Sequence, residues 1–125
     1  MEPESDTERE WAERIDALAA LMPLFEGGTS ESDEAIRTLI DVANGFGWVL
    51  SDFDWSKWTK SEEFRTLVES LENIREIDRL MLARLLTVFL RQERFCEGSL
   101  SDAFRGGYLT EIVRRASTLA VKRTH

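Results

Sequence analysis

An almost entirely apolar stretch from Ile77 to Leu90 constrains the fold of this chain more than any other feature. Its apolar residues are Ile77, Leu80, Met81, Leu82, Leu85, Leu86, Val88, Phe89 and Leu90. They cover most of the circumference of a helix with 3.6 residues per turn, and such a helix belongs in the middle of a bundle. Arg84, Thr87 and Arg91 recur at steps of three and four. They predict one narrow polar stripe that opens to water or to a carboxylate.

The rest of the sequence predicts shorter helices around this central one, which we expect over 77–94. Apolar spacing indicates helices over about 6–22, 33–43, 62–71 and 108–122, with a short turn near 99–104. The aromatic stretch 46–55 has neither helical spacing nor a partner strand, so we expect an ordered extended loop. The sequence therefore predicts one all-α domain over 1–125, with 1–5 frayed. Its fold would be a compact bundle of five or six helices around the central apolar helix, with one extended aromatic loop.

Several boundaries follow from residues that begin or end helices. Asn73 and Glu76 form a capping-box pattern ahead of the central helix, and Gly98 is placed to end it. Pro23 is expected to kink or end the first helix just after Met22. Ser56 and Ser61 are expected to cap the two helical segments that follow the aromatic loop. Glycines at 27 and 28 are expected to separate the first two helices.

Composition narrows the class of protein. With 125 residues and 42% apolar residues, the chain has material for one core. Its single cysteine excludes an intrachain disulfide, and its acidic opening resembles neither a signal peptide nor a membrane anchor. We therefore expect a cytoplasmic protein with no membrane association.

The net charge of −8 is unevenly distributed along the chain. Residues 1–34 carry −9, residues 35–90 carry −2 and residues 91–125 carry +3. Overall acidity argues against nucleic-acid binding, which requires a positive surface. The acidic positions near the start are Glu2, Glu4, Asp6, Glu8, Glu10, Glu13 and Asp16. Such a run is typical of a solvated helix face, and its alternative use is to mimic a phosphate backbone. Near the end, Arg114 and Arg115 are expected to lie on the outward-facing side of the last helix.

The string RFCEG at 94–98 changes residue type within one helical turn. One interpretation is a small polar site, and an enzyme built there would use Arg91, Arg94, Cys96 and Glu97. The simpler interpretation buries Phe95 and Cys96, lets Glu97 hold Arg94 or Arg91, and makes Gly98 the left-handed residue that ends the helix. The chain's one histidine, His125, lies far from this string, which disfavours a Cys/His pair. No nucleotide, dinucleotide or zinc motif is present, so we expect no cofactor and no metal.

Four aromatic residues, Trp48, Phe53, Trp55 and Trp58, lie within 11 residues. They can close the core or form a recognition surface. Steps of two and three from Phe53 to Trp58 do not all point inward from one regular element, which leaves room for an exposed ring. Asp52 and Asp54 flank Phe53, but two carboxylates alone are weak grounds for a metal site.

The strings LMPLF, FDWSKW and RFCEGSLSDAFRGG, in this order, resemble a family of small prokaryotic proteins that is defined only as a domain of unknown function. The resemblance spans nearly the whole chain and is most specific at RFCEG. Its motif positions are Pro23, Phe25, Phe53, Asp54, Trp55, Trp58, Arg94, Phe95, Cys96, Glu97, Gly98, Leu100, Phe104 and Gly107. The resemblance implies one compact domain and assigns no chemistry.

These observations favour a non-enzymatic protein–protein interaction or regulatory module, whose partner is another protein or a second copy of the chain. Its candidate contact surface comprises Trp48, Phe53, Trp55, Trp58, Arg91, Arg94 and Glu97. The alternatives are an acidic inhibitor that mimics nucleic acid, as in phage or mobile elements, and an enzyme with its site at the RFCEG helix end.

Overall fold

The computed structural model describes residues 6–26 and 32–123, and over these ranges the chain forms nine helical segments and no strand. The segments are α1 Asp6–Ala19, α2 Met22–Glu26, α3 Ser32–Gly45, α4 Trp55–Trp58, α5 Glu62–Val68, α6 Leu71–Ile74, α7 Arg79–Phe95, α8 Ser99–Arg105 and α9 Tyr108–Arg123. The all-α fold class is confirmed. The segments outnumber the expected helices because two predicted helices are interrupted and two predicted turns are helical. The predicted fraying of 1–5 and the glycine break at 27–28 fall outside the described residues.

The central helix α7 begins later than predicted. The Asp78 carboxylate accepts the Met81 N–H at 2.8 Å, so Asp78 is the cap and the Asn73–Glu76 capping box was wrong. Asn73 instead lies in α6 and donates its amide to the Thr66 carbonyl at 2.7 Å. Leu82, Ala83, Leu85, Leu86, Thr87 and Val88 are the buried residues of α7. Leu80 is 44% exposed, because it lies in the first turn, at the edge of the core.

The polar stripe of α7 does not open to water at Thr87. This side chain is fully buried, and its hydroxyl donates to the Ala83 carbonyl at 2.8 Å while accepting the Leu50 N–H at 2.9 Å. Leu50 belongs to the extended aromatic loop, so the stripe is covered by that loop at this point. Arg84, one turn earlier, lies 3.8 Å from the Glu63 carboxylate, so at this point the stripe faces a carboxylate.

The helix α9 also contributes to the core. Its residues Leu109, Ile112, Val113 and Ala116 are fully buried, and the helix packs against α1, α2, α6, α7 and α8. The expectation that Arg115 lies outside was wrong. Its Nε donates to the Ile77 carbonyl at 2.7 Å, which keeps the guanidinium satisfied while its stem is buried.

Two other boundaries differ from the prediction for local reasons. The helix α1 ends at Ala19, and Pro23 lies in the first turn of α2, where a missing N–H costs no hydrogen bond. Asp54, not Ser56, caps α4, because its Oδ1 accepts the Lys57 N–H at 3.1 Å. The predicted cap of α5 is confirmed, since the Ser61 hydroxyl accepts the Phe64 N–H at 3.2 Å.

Candidate functional site

The aromatic loop is mostly part of the core. Trp48 is fully buried, its Nε1 donates to the Arg14 carbonyl at 3.0 Å, and its ring meets Trp11 edge to face with centroids 5.8 Å apart. The loop thereby fastens α1 to the bundle. Trp48 was wrong as a contact residue, because a buried and hydrogen-bonded indole has no face left for a partner.

Trp58 was wrong for the same reason. It is buried, its Nε1 donates to Glu63 at 2.7 Å, and its ring packs edge-on against Phe53 and Phe64. Phe53 is half-buried, and the Arg84 guanidinium lies over its ring at 5.4 Å from the centroid. A cation over an aromatic face competes with any partner for that face.

One aromatic pair is accessible, and it lies at the end of α7. Phe95 is 76% exposed and stacks on the half-buried Trp55, with centroids 6.0 Å apart and an angle of 29° between the planes. We call Trp55 and Phe95 the ring pair. The prediction that Phe95 and Cys96 are buried was wrong, because both side chains are exposed. Phe95 lies two turns beyond buried Val88 on the same face of α7, where the core has already ended.

The turn from α7 to α8 is organised by Glu93, which the sequence did not single out. Its carboxylate accepts the N–H groups of Leu100 at 2.8 Å and Gly98 at 3.2 Å, and the Ser99 hydroxyl at 3.3 Å. These hydrogen bonds, with the one from Leu100 contributing most, lower the pKa of Glu93. Gly98 has φ +95°, the left-handed conformation predicted for it.

Glu97 was predicted to hold Arg94 or Arg91. It is exposed and makes no ion pair within the described part of the chain. The three-residue spacing from Arg94 to Glu97 brings two side chains together only inside a helix, and α7 ends at Phe95, before Glu97. Glu93 accepts hydrogen bonds from the backbone N–H groups five and seven residues ahead, across a turn. No local pattern in the sequence marks that relation.

Beside this turn lies a cleft of about 410 Å³ between α3, residues 47–49 and the last turns of α7. Its lining residues are Ile40, Ala43, Asn44, Gly47, Val49, Leu90, Arg91, Glu93, Arg94 and Leu100. Two residues of the predicted polar site, Arg91 and Arg94, line this cleft. Cys96 and Glu97 are not part of the lining, so the four residues of the predicted enzyme site do not converge.

The remaining motif positions have structural roles. Phe25 is buried and packs on Phe104, with ring centroids 5.5 Å apart. Leu100 is buried beneath the turn that Glu93 holds. Gly107 has φ +87°, and a side chain there would meet Leu71 Cδ1 at 3.0 Å.

The acidic face of α1 takes part in contacts within the molecule. Both carboxylate oxygens of Glu8 accept hydrogen bonds from Arg79, at 2.8 and 2.6 Å, and this contact lowers the pKa of Glu8. Arg79 and Arg14 also lie over the Trp11 ring. Glu2 and Glu4 fall outside the described residues.

Comparison with protein families places this chain. A family model described as a family of unknown function, DUF6508, matches residues 11–122. The chain belongs to the DUF6508 family. The match extends from the middle of α1 to the last turn of α9, so it covers the helical bundle except for the first residues of α1 and the last residue of α9. This confirms the resemblance to a family without an assigned function. No curated protein and no solved structure matches the chain.

Neither a membrane span nor a metal-ligand cluster is found where the DUF6508 chain is described. No helix in residues 6–26 and 32–123 has the length and apolar character needed to cross a bilayer. Over the same ranges, no three His, Cys, Asp or Glu side chains come close enough together to hold a metal ion.

Proposed function

We propose that this DUF6508 protein is a non-enzymatic protein-binding module and that the ring pair is the centre of its contact surface. The observation that supports this is the 76% exposure of Phe95, the highest among the exposed large apolar side chains of the described chain. Covering a ring of this kind on binding contributes about 1.5–3 kcal/mol. Its stacking on Trp55 restrains the ring in the free protein, which lowers the entropy cost of binding.

Charged side chains close to the ring pair in sequence supply the rim of this surface. Lys57, Arg94 and Glu97 are all exposed, and they flank Trp55 and Phe95 along the chain. An apolar centre inside a charged rim is the usual arrangement of a protein interface. The proposed surface therefore differs from the one predicted from the sequence. It lacks Trp48, Phe53, Trp58 and Arg91, and it adds Phe95 and Lys57.

The other proposed properties follow from the sequence. The single cysteine supports a cytoplasmic location. The nucleic-acid mimic and the enzyme stay predictions, and specific observations weaken each of them. Glu8 is already paired with Arg79, and Cys96 lies outside the cleft that contains Arg91 and Arg94.

Site-specific photo-crosslinking tests the proposal. A benzophenone amino acid replaces Phe95 in one version of the full chain and Leu80 in another, and both are expressed in the cells from which the sequence comes. We expect a discrete heteromeric adduct from position 95 that is absent from position 80. Leu80 is the matched control because it is an exposed apolar residue of the same helix, about 22 Å away along its axis.

The partner identified in this way is then titrated with purified variants. Phe95→Ala should weaken binding by about tenfold or more, since a central aromatic anchor contributes over about 1 kcal/mol. Leu80→Ala should leave the affinity unchanged, and both variants should keep the unfolding midpoint of the parent. Equal adducts from both positions would refute the proposal, as would unchanged affinity for Phe95→Ala. An adduct of twice the chain mass would assign the ring pair to a homodimer.

A further inference from the structure

We propose that the cleft beside the α7–α8 turn binds a small organic anion with one carboxylate and a short aliphatic body. This site differs from the ring pair and shares one residue, Arg94, with the charged rim of the proposed contact surface. The cleft has about 410 Å³ of space, which lies within the range of small-molecule sites.

The pairing of the arginines is the first argument. Most arginines whose side chains the structure describes have a partner, such as Arg75 with Glu111 and Arg79 with Glu8. Arg37, Arg91 and Arg94 are those with neither a hydrogen bond nor an ion pair among the described residues. Two of these three line the same cleft.

The position of Arg91 and Arg94 on α7 is the second argument. They are spaced three residues apart, so their side chains leave the same face of the helix. Arg91 is half-buried, and because no described residue accepts a hydrogen bond from its guanidinium, these N–H groups are left to water or to a ligand. A carboxylate suits this need, because its two oxygens match the planar fork of a guanidinium.

The charge of the cleft selects a monoanion. Glu93 also lines it, but the turn amides and the Ser99 hydroxyl already occupy its carboxylate. Two guanidinium groups and one carboxylate leave a single net positive charge among the lining residues. A ligand with one negative charge neutralises it, whereas a phosphate dianion would leave an excess of negative charge beside Glu93.

The remaining lining residues determine the rest of the ligand. They are aliphatic, apart from Gly47 and Asn44, and comprise Ile40, Ala43, Val49, Leu90 and Leu100. Such a wall favours a short hydrocarbon body over a sugar or a nucleotide. Asn44 is exposed and its amide makes no hydrogen bond among the described residues, so it can recognise one further polar group.

Titrations of the isotope-labelled full chain, followed by amide resonances, test this inference with defined probes. Hexanoate should shift the Gly47, Val49 and Leu100 amides in a saturable way. Hexanamide, its uncharged analogue, and acetate, which lacks the aliphatic body, should each bind at least about fivefold more weakly. Hexyl phosphate should bind no more tightly than hexanoate.

Matched arginine variants assign the site. Arg91→Gln and Arg94→Gln should each weaken hexanoate binding about tenfold, as the loss of a charge-assisted hydrogen bond predicts. Arg37→Gln removes the same charge from an arginine outside the cleft and should leave the affinity within about twofold of the parent.

Several results would overturn the inference. They are no saturable shift below about 20 mM hexanoate, equal binding of hexanoate and hexanamide, tighter binding of hexyl phosphate, or an equal effect of all three arginine variants. Phe95→Ala separates this site from the proposed protein contact, because it should weaken partner binding about tenfold or more and leave the hexanoate affinity unchanged.

Discussion

Replacing Thr87 by valine tests how the aromatic loop is attached to the central helix. Valine keeps the branched shape of threonine, so it fills the same space and retains the methyl contacts. It removes the hydroxyl that accepts the Leu50 N–H at 2.9 Å and donates to the Ala83 carbonyl at 2.8 Å. The Ala83 carbonyl keeps the backbone hydrogen bond of α7, so the main loss falls on the Leu50 amide.

The size of this loss follows from the burial of the two groups. A donor that loses its partner costs about 1–3 kcal/mol, and the lower part of that range applies because Leu50 is only half-buried. We therefore expect Thr87→Val to destabilise the protein by about 1–2 kcal/mol. An unfolding entropy of about 2.1 cal/mol/K per residue over 125 residues converts this to a midpoint lowered by about 4–8 °C.

Thermal unfolding and amide hydrogen exchange measure this effect together. The matched control is Thr118→Val, since the Thr118 hydroxyl also donates to the carbonyl four residues earlier but is exposed and holds no loop. The control should stay within about 0.5 kcal/mol of the parent. In Thr87→Val, the Leu50 amide should lose protection before the amides of α7 do. Equal midpoints for the two variants, or unchanged protection of Leu50, would refute the reasoning.

Two further predictions concern the turns at either end of α8. Glu93→Gln should cost about 1 kcal/mol at pH 7, because one neutral amide oxygen replaces the two charged oxygens that accept hydrogen bonds from the turn. The folded pKa of Glu93 is lowered, so its contribution to stability is present above the ordinary carboxyl pKa of about 4.3 and is lost as the pH falls through the folded value. Urea unfolding should therefore show the two proteins converging in acid, and a constant difference would contradict this. Gly107→Ala should cost about 1–3 kcal/mol, because alanine is strained at φ +87° and its Cβ would press on Leu71. In thermal melts Gly45→Ala, which meets no atom within 4 Å, should behave like the parent, and equal losses for both would be inconsistent with a backbone cause.

Features that depend on periodicity could be predicted from the sequence. The apolar run of α7 and the spacing of α9 gave the all-α class and most of the buried apolar residues of these two helices. Caps proved harder to predict, because several residues near each helix start can serve. The cap of α7 is Asp78 and not Asn73, because the Asp78 carboxylate reaches the Met81 N–H. The cap of α4 is Asp54 and not Ser56, because the Asp54 carboxylate reaches the Lys57 N–H.

The candidate site was predictable only in part. Arg91 and Arg94 could be placed together because both lie on one regular helix. The burial of Trp48 and the exposure of Phe95 could not be predicted, because they depend on where the loop crosses the bundle and where the core ends. Glu93 was missed because its partners lie across a turn, where helical spacing no longer applies.

The packing of α9 against α1 has a consequence for how this chain is made. The two helices come from opposite ends of the described chain, yet α9 supplies core residues that α1, α2 and α7 all need. A ribosome releases residues in order, so the early helices emerge with their apolar faces uncovered and wait for residues 108–123. Until then the nascent chain exposes apolar surface, and binding of a chaperone during translation would protect the chain from aggregation.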